Sequence, residues 1–256
     1  MTDQPLKVWR DRDGKLLRLR LARPKANIVD APMIAALDRA LADNVNDPML
    51  SAVLIDHEGP HFSFGASVSE HLPGQFEGMI KGFCGLIMHL VEAPVPVLAA
   101  VRGQCLGGGM EVAIAANLIF AAPDAKFGQP EIQLAVFAPP ASCILPERMP
   151  RGAAESLLLS GRSISGDEAY RLGLVHAVNA DPEAAALAYF DEGLAPHSPS
   201  TLRLAVRAAR FDMVERVRTK LAALENLYIT GLMSTKDAVE GLTAFLEKRP
   251  AKWEGC

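Results

Sequence analysis

Three consecutive glycines, Gly107, Gly108 and Gly109, stand between two apolar runs, and they constrain this chain more than any other stretch. Upstream, Val95-Pro96-Val97-Leu98-Ala99-Ala100-Val101 reads as a buried strand. Downstream, the Ala-rich run from Val112 to Ala116 reads as the start of a buried helix. A strand that passes into a helix through glycines brings backbone close to a ligand, because no Cβ intervenes. It also aims the unpaired N–H groups of a first helical turn at that ligand, where they can hold a developing oxyanion. Glu111 falls in that turn, and the helix dipole there favours an ionised carboxylate. Further on, Lys126-Phe127-Gly128-Gln129-Pro130-Glu131 brings a second acid on a turn punctuated by glycine and proline.

The whole chain narrows the function classes. Its 256 residues fit one large domain or two small ones. Half are hydrophobic and 22% are charged, the composition of an ordinary globular protein. A net charge of −4 argues against the clustered basic footprint of a nucleic-acid binder. The start, Met1-Thr2-Asp3-Gln4-Pro5, lacks a basic-then-apolar leader pattern, and no apolar run is long enough to span a bilayer. A cytoplasmic protein with no membrane partner is expected. Cys84, Cys105, Cys143 and Cys256 lie far apart, as free thiols do, and form neither a disulfide framework nor a zinc motif. His57 and His61 are separated by Gly59 and Pro60, which break any helix that would align them, so they read as solvated loop histidines and no metal site is expected.

Taken in order, Lys15 to Leu21 alternates Leu17, Leu19 and Leu21 with Arg18 and Arg20, which predicts a half-buried strand. Arg23-Pro24-Lys25-Ala26-Asn27 is a basic turn. Asp30 predicts the N-cap of a helix to about Asn46, with Met33, Ile34, Leu37 and Leu41 on one face. Ala52 to Ile55 reads as a buried strand, and Gln75 to Val91 as a helix ended by Pro94 and Pro96. Leu118 to Ala121 is another strand, and Arg151 to Leu159, Ser165 to Leu172 and Leu174 to Val178 repeat the alternation as helix, helix and strand. From Asp181 onward the pattern is mostly helical. The expected class is α/β, with parallel sheet layers and a helical C-terminal portion.

Leu106-Gly107-Gly108-Gly109-Met110-Glu111 with Phe127-Gly128-Gln129-Pro130-Glu131 resembles the signature of the crotonase (enoyl-CoA hydratase/isomerase) family. Phe62-Ser63-Phe64-Gly65-Ala66 and the stretch from Glu240 to Arg249 extend the resemblance over nearly the whole chain. It implies a crotonase-like spiral of β-β-α turns over residues 1–195, carrying the active site, and a helical trimerisation region over 196–256. It implies that Glu111 and Glu131 are catalytic, and that the N–H groups of Ala66 and Gly108 form the oxyanion hole with Ser67 and Val68 beside them. It places Lys25 and Ala26 along CoA, and has Phe245 and Lys248 reach the CoA bound by a neighbour. The assembly implied is a homotrimer or a dimer of trimers. CoA is part of the substrate, and no separate cofactor is implied.

Two carboxylates near an oxyanion site can add water to a conjugated acyl C=C bond, one ionised to activate water and the other moving a proton at carbon. Glu111, at a helix N-terminus, is the better base, and Glu131 the better donor. Keeping both acids favours hydration over isomerisation, as the resemblance has it. The chain departs from the family pattern at Phe64, at Ser67 in place of the usual Asp, and at Pro139. Hydratases of the family have a glycine at that last place, whose N–H helps hold the catalytic water, and proline has none. Phe64, Val136 and Phe137, with Pro139, are candidates for an acyl-pocket wall.

With Phe62 to Val68, Phe137-Ala138-Pro139 and the Trp253 tail, the chain resembles the branch that hydrates cyclohexa-1,5-diene-1-carbonyl-CoA in anaerobic aromatic degradation. That branch forms 6-hydroxycyclohex-1-ene-1-carbonyl-CoA. The alternatives are a general enoyl-CoA hydratase or isomerase of fatty-acid-type substrates, and an RNA-binding relative. The last needs a lysine-studded first helix, whereas Ala31 to Asn46 carries Arg39 as its only basic residue.

Overall fold

In the computed structural model, residues 4–256 are described. Met1, Thr2 and Asp3, part of the stretch read above for a leader pattern, lie outside them. The apolar runs pair into two sheets. The larger is built from β1 (Leu6–Asp11), β2 (Leu16–Leu21), β3 (Ala52–His57), β4 (Val97–Val101), β6 (Leu118–Ala121) and β9 (Ala177–Val178), in the order β1-β2-β3-β4-β6-β9. Only the β1–β2 pair is antiparallel. The smaller sheet, in the order β5-β7-β8, joins β5 (Gln104–Leu106), β7 (Lys126–Gly128) and β8 (Ser163–Ser165).

Helices cover these layers because their apolar stripes need a partner. The first, α1 (Ala31–Asn44), begins where expected: Asp30 accepts the Met33 N–H at 3.1 Å, and Met33, Ile34, Leu37 and Leu41 are buried. It packs beside α2 (Phe76–Val91), a helix despite three glycines, where a Cβ would find open space at Gly78 and Gly85 and only the Ile34 methyl, 4.0 Å away, at Gly82. Then come α3 (Gly108–Ala115), α4 (Pro139–Arg148), α5 (Arg151–Ser160), α6 (Gly166–Arg171) and α7 (Pro182–Gly193). The C-terminal region is α8 (Pro199–Ala209), α9 (Phe211–Asn226) and α10 (Lys236–Leu246). Val217 and Leu221 of α9 and Leu242 of α10 enter the same apolar core as β2, β3 and β4.

Several expectations need correction. Strand β2 is buried on both faces: Arg18 is 3% exposed, ion-paired to Asp56 and Glu183 and lying 4.9 Å from the Trp9 ring. The alternation marked a strand, but the tertiary fold covers its polar side. The helix after the glycines starts at Gly108, not Val112, so two of the three glycines belong to its first turn. The 126–128 segment is a strand and not a turn, because β5 and β8 supply its partners. The strand read over 174–178 shrinks to Ala177–Val178. His57 is buried, not solvated: Nε2 accepts the Arg102 N–H at 3.2 Å, and burial pushes its pKa down to about 4. His61 Nδ1 likewise accepts the Gln104 N–H at 3.2 Å, so both histidines brace the approach to β5.

Candidate active site

The glycine turn is where backbone sterics fix the site. Gly107 caps α3 with φ 49° and ψ −131°, a conformation that L side chains rarely adopt. Its N–H donates to the Gly128 carbonyl and its own carbonyl accepts the Glu111 N–H, both at 2.9 Å. A Cβ on Gly109 would lie 2.4 Å from Ser63 Cβ, and one on Gly108 would lie 3.1 Å from Ala66 N. The start of α3 therefore rests directly on the 63–66 segment. That segment is held in turn. Ser63 Oγ donates to the Asn27 carbonyl at 2.8 Å and accepts the Gly65 N–H at 3.0 Å, and Val29 N–H donates to the Gly65 carbonyl at 2.9 Å. Among the turn, loop and cap hydrogen bonds of the described residues, neither the Ala66 N–H nor the Gly108 N–H is used. Two adjacent free donors on a rigid frame are what an oxyanion hole requires.

Glu111 is 4% exposed, and its Oε1 accepts the Ala141 N–H at 2.8 Å. Ala141 is the third residue of α4; the two before it, Pro139 and Pro140, have no N–H, and Ser142 N–H bonds to the Ala138 carbonyl at 3.0 Å. The N-terminus of α4 thus spends its one side-chain-directed donor on Glu111. Three prolines in Pro139–Arg148 hid this helix from the sequence reading, although prolines at its first two positions are compatible with a helix start. Glu131 sits in the first turn of a 3-10 segment, Pro130–Leu134. With its amide turned to donate, Gln129 Nε2 reaches the two Glu131 oxygens at 3.1 and 2.8 Å.

Burial pushes the Glu111 carboxyl well above its ordinary value, and the charge of Glu131 adds to the rise. Burial also pushes Glu131 up to about 7. The dipole of α3 favours an ionised Glu111, but burial and like charge oppose it, so the loss of a proton from one carboxyl is linked to the state of the other. A stability test follows. Glu131 has its folded pKa above the ordinary 4.5, so its stabilising contribution is complete below 4.5 and is lost as pH rises through about 7. Glu131→Gln should raise Tm at pH 8, by about 2–4 °C per kcal/mol of relieved penalty, and leave it nearly unchanged at pH 4. Thermal melts at both pH values check this, and an equal shift at both would assign the effect to packing instead.

A cavity of about 340 Å³ opens beside the oxyanion donors, with Ala66, Val68, Glu131 and Val136 in its wall and Phe64 and Phe245 at its mouth. The two mouth rings are 44% and 54% exposed. A second cavity of about 310 Å³ lies on the other side of Glu131, lined by Phe137, Ala138, Ser142 and Leu158. Phe137 therefore faces a different space from Phe64 and Val136, which corrects the expectation of one shared wall. Pro139 is buried and lines neither cavity; it acts through the start of α4. Ser67 is also outside the lining, its hydroxyl shared with Ser69 Oγ at 3.0 Å.

Lys25 is exposed with φ 83°, and the adjacent Ala26 carbonyl accepts the Phe64 N–H at 2.9 Å, tying that loop to the cavity mouth. Lys248 is exposed just beyond α10, with φ 55°. A Cβ on Gly241 of α10 would fall 2.3 Å from the Leu134 carbonyl oxygen, and this close approach brings Phe245 into the lining of the cavity in its own chain. His71, Gln133 and Arg249 also line this cavity and escaped the sequence reading. Arg249 was legible only as the residue after Lys248; it grips Glu240 through two nitrogen–oxygen contacts at 2.6 and 2.8 Å. Among the described residues no group of three or more His, Cys, Asp or Glu is placed to hold a metal, and no helix is long and apolar enough to cross a membrane.

A half-buried Glu131 in the wall of a cavity, a buried Glu111, and two backbone N–H groups beside them suit an enzyme that moves protons while stabilising an enolate. A model of the enoyl-CoA hydratase/isomerase family matches residues 11–256, and the chain belongs to that family. It is 63% identical over 250 residues to the cyclohexa-1,5-dienecarbonyl-CoA hydratase of Thauera aromatica, covering 98% of this chain and 97% of that one. It is 32% identical over 256 residues to the carnitinyl-CoA dehydratase of Salmonella agona, covering 95% and 97% of the two chains. Among solved structures it superposes on an enoyl-CoA hydratase of Mycobacterium avium subsp. paratuberculosis with a TM-score of 0.81 at 26% identity, over 97% of this chain and 98% of that one. The fold is that of the crotonases, and the enzyme is a hydro-lyase acting on an acyl-CoA.

Proposed function

We propose that this enzyme adds water to cyclohexa-1,5-diene-1-carbonyl-CoA and forms 6-hydroxycyclohex-1-ene-1-carbonyl-CoA, a step of anaerobic benzoyl-CoA degradation. The observation that carries the ring substrate is the 63% identity, spread over 98% of the chain, to the Thauera aromatica hydratase of that name. The retained pair of Glu111 and Glu131 beside the Ala66 and Gly108 donors supports hydration. The reading extends to a cytoplasmic homotrimer or dimer of trimers, with residues 1–195 as the catalytic spiral and 196–256 as the helical assembly region. Lys25, Ala26, Phe245 and Lys248 hold CoA in this reading.

The chemistry follows from the substrate's conjugation. The thioester carbonyl withdraws electrons through C1=C2, so water attacks C2 and passes a proton to the ionised carboxylate. Charge moves onto the carbonyl oxygen, where the Ala66 and Gly108 N–H groups receive it. The dienolate is also electron-rich at C5, through C5=C6. A proton delivered there by the protonated carboxyl leaves C6=C1 conjugated with the thioester. The two carboxyls exchange roles, and the pair keeps its single proton. Renumbered in the product, the hydroxyl is on C6 and the new hydrogen on C3.

The test is incubation of the enzyme with the cyclic dienoyl-CoA in ²H₂O, with the product read by mass and NMR. One deuterium at C3 is expected. Deuterium at C5 would mean direct addition across the C5=C6 bond, and turnover of crotonyl-CoA without turnover of the ring thioester would favour the fatty-acid-type reading.

A further inference from the structure

Between α9 and α10 the chain makes one π-helical turn, Leu227–Gly231, and its second residue is Tyr228. Such turns insert an extra residue and redirect the side chains they carry. Tyr228 is 1% exposed. Its ring stands edge-on to Phe137, with centroids 5.5 Å apart, and to His71 at 6.4 Å. His71 lines the cavity on one side of Glu131 and Phe137 the cavity on the other. The tyrosine is thus wedged behind both walls of the carboxylate site. Its Oη is fully buried and has no hydrogen-bond partner among the described residues. Buried tyrosine hydroxyls normally find one, and leaving one unpaired is costly.

Apart from the two N–H groups assigned to the oxyanion, the donors around the carboxylates are committed. Pro139 and Pro140 have no N–H, the Ala141 N–H is bonded to Glu111, and the Gln129 amide serves Glu131. An attacking water gives one proton to a carboxylate and points one lone pair at carbon. Its second lone pair needs a donor if the molecule is to be held in one orientation. We propose that the Tyr228 hydroxyl is that donor, orienting the reacting oxygen between Glu111 and Glu131, first as water and then as the new ring hydroxyl. Burial, and after it the charges of Glu131 and Glu111, push the phenol's pKa upward, so it stays protonated across any working pH and acts as a donor and never as the base. The inference rests on the hydration reading but not on the ring substrate.

Tyr228→Phe removes the hydroxyl and keeps the ring packed on Phe137 and His71. Hydration kinetics of wild type and variant should show kcat lower by about tenfold or more, with KM for the thioester within about twofold, the signature of misplaced water and not of lost binding. The variant's Tm should equal or exceed that of wild type. An unchanged kcat overturns the proposal. So does a Tm fall of more than about 4 °C, which would show that Oη is already bonded inside the fold. If wild type is inert on the cyclic dienoyl-CoA, the substrate reading alone fails. The two proteins are then compared on crotonyl-CoA, where equal turnover overturns the role of the hydroxyl.

Discussion

Glu111→Gln and Glu131→Gln should each lower turnover of the thioester by at least about a hundredfold, the low end for positioned acid–base groups. The amide keeps the shape of the carboxyl, so the loss isolates the proton chemistry. Glu111→Gln retains an oxygen to accept the Ala141 N–H, and the start of α4 should stay in place. Affinity for an unreactive acyl-CoA should change little, because the proposed oxyanion donors are the Ala66 and Gly108 backbone N–H groups, which neither substitution touches. Steady-state kinetics with calorimetric binding separates the two quantities. Near-wild-type turnover in either variant would sink the two-carboxylate mechanism, in which one group takes a proton from water while the other delivers one to carbon.

Gly107→Ala should be nearly as damaging through geometry alone. The residue holds φ 49° and ψ −131°, and a Cβ built there falls 2.6 Å from Glu131 Oε1. Either the cap of α3 opens, displacing the Gly108 N–H, or the Glu131 carboxyl moves. A shift of about 1 Å at the reacting groups costs about a hundredfold in rate, and the backbone strain costs about 1–3 kcal/mol of stability. Gly85→Ala is the control. That glycine lies inside α2 with nothing within 4 Å of its would-be Cβ, so alanine should stabilise by about 0.5–1 kcal/mol and leave activity intact. Chemical denaturation and turnover measured on both variants check the contrast. Equal effects at the two glycines would remove Gly107 from the site.

The carboxylate pair and the glycine turn were legible because their demands are local. A run of glycines between a strand and a helix says that backbone must pass where no side chain fits, and Gly107 and Gly109 each answer a specific atom, Glu131 Oε1 and Ser63 Cβ. The Asp30 cap, the stripe of α1 and the apolar strands were likewise written within a few neighbouring residues. Polar residues were misread wherever a distant segment covers them. Arg18 alternates as an outward residue does, yet Asp56 and Glu183 are brought onto it from elsewhere in the chain. His57 and His61 look solvated because Gly59 and Pro60 lie between them, yet they accept N–H groups from the entrance to β5.

The same division runs through the site. By itself the sequence marked the glycine turn, the two acids beside it and the loss of an N–H at Pro139, because residue type and local backbone geometry suffice for these, while the candidate oxyanion pair at Ala66 and Gly108 came from the family resemblance. Only the tertiary structure decided that Ala141 binds Glu111, that Phe137 and Phe64 face different cavities, that Phe245 lines the cavity beside Glu131, and that Tyr228 packs against both Phe137 and His71. Those are contacts between segments far apart along the chain. They are set by which apolar faces pack together, and packing leaves no periodic trace in the residues that it brings into contact.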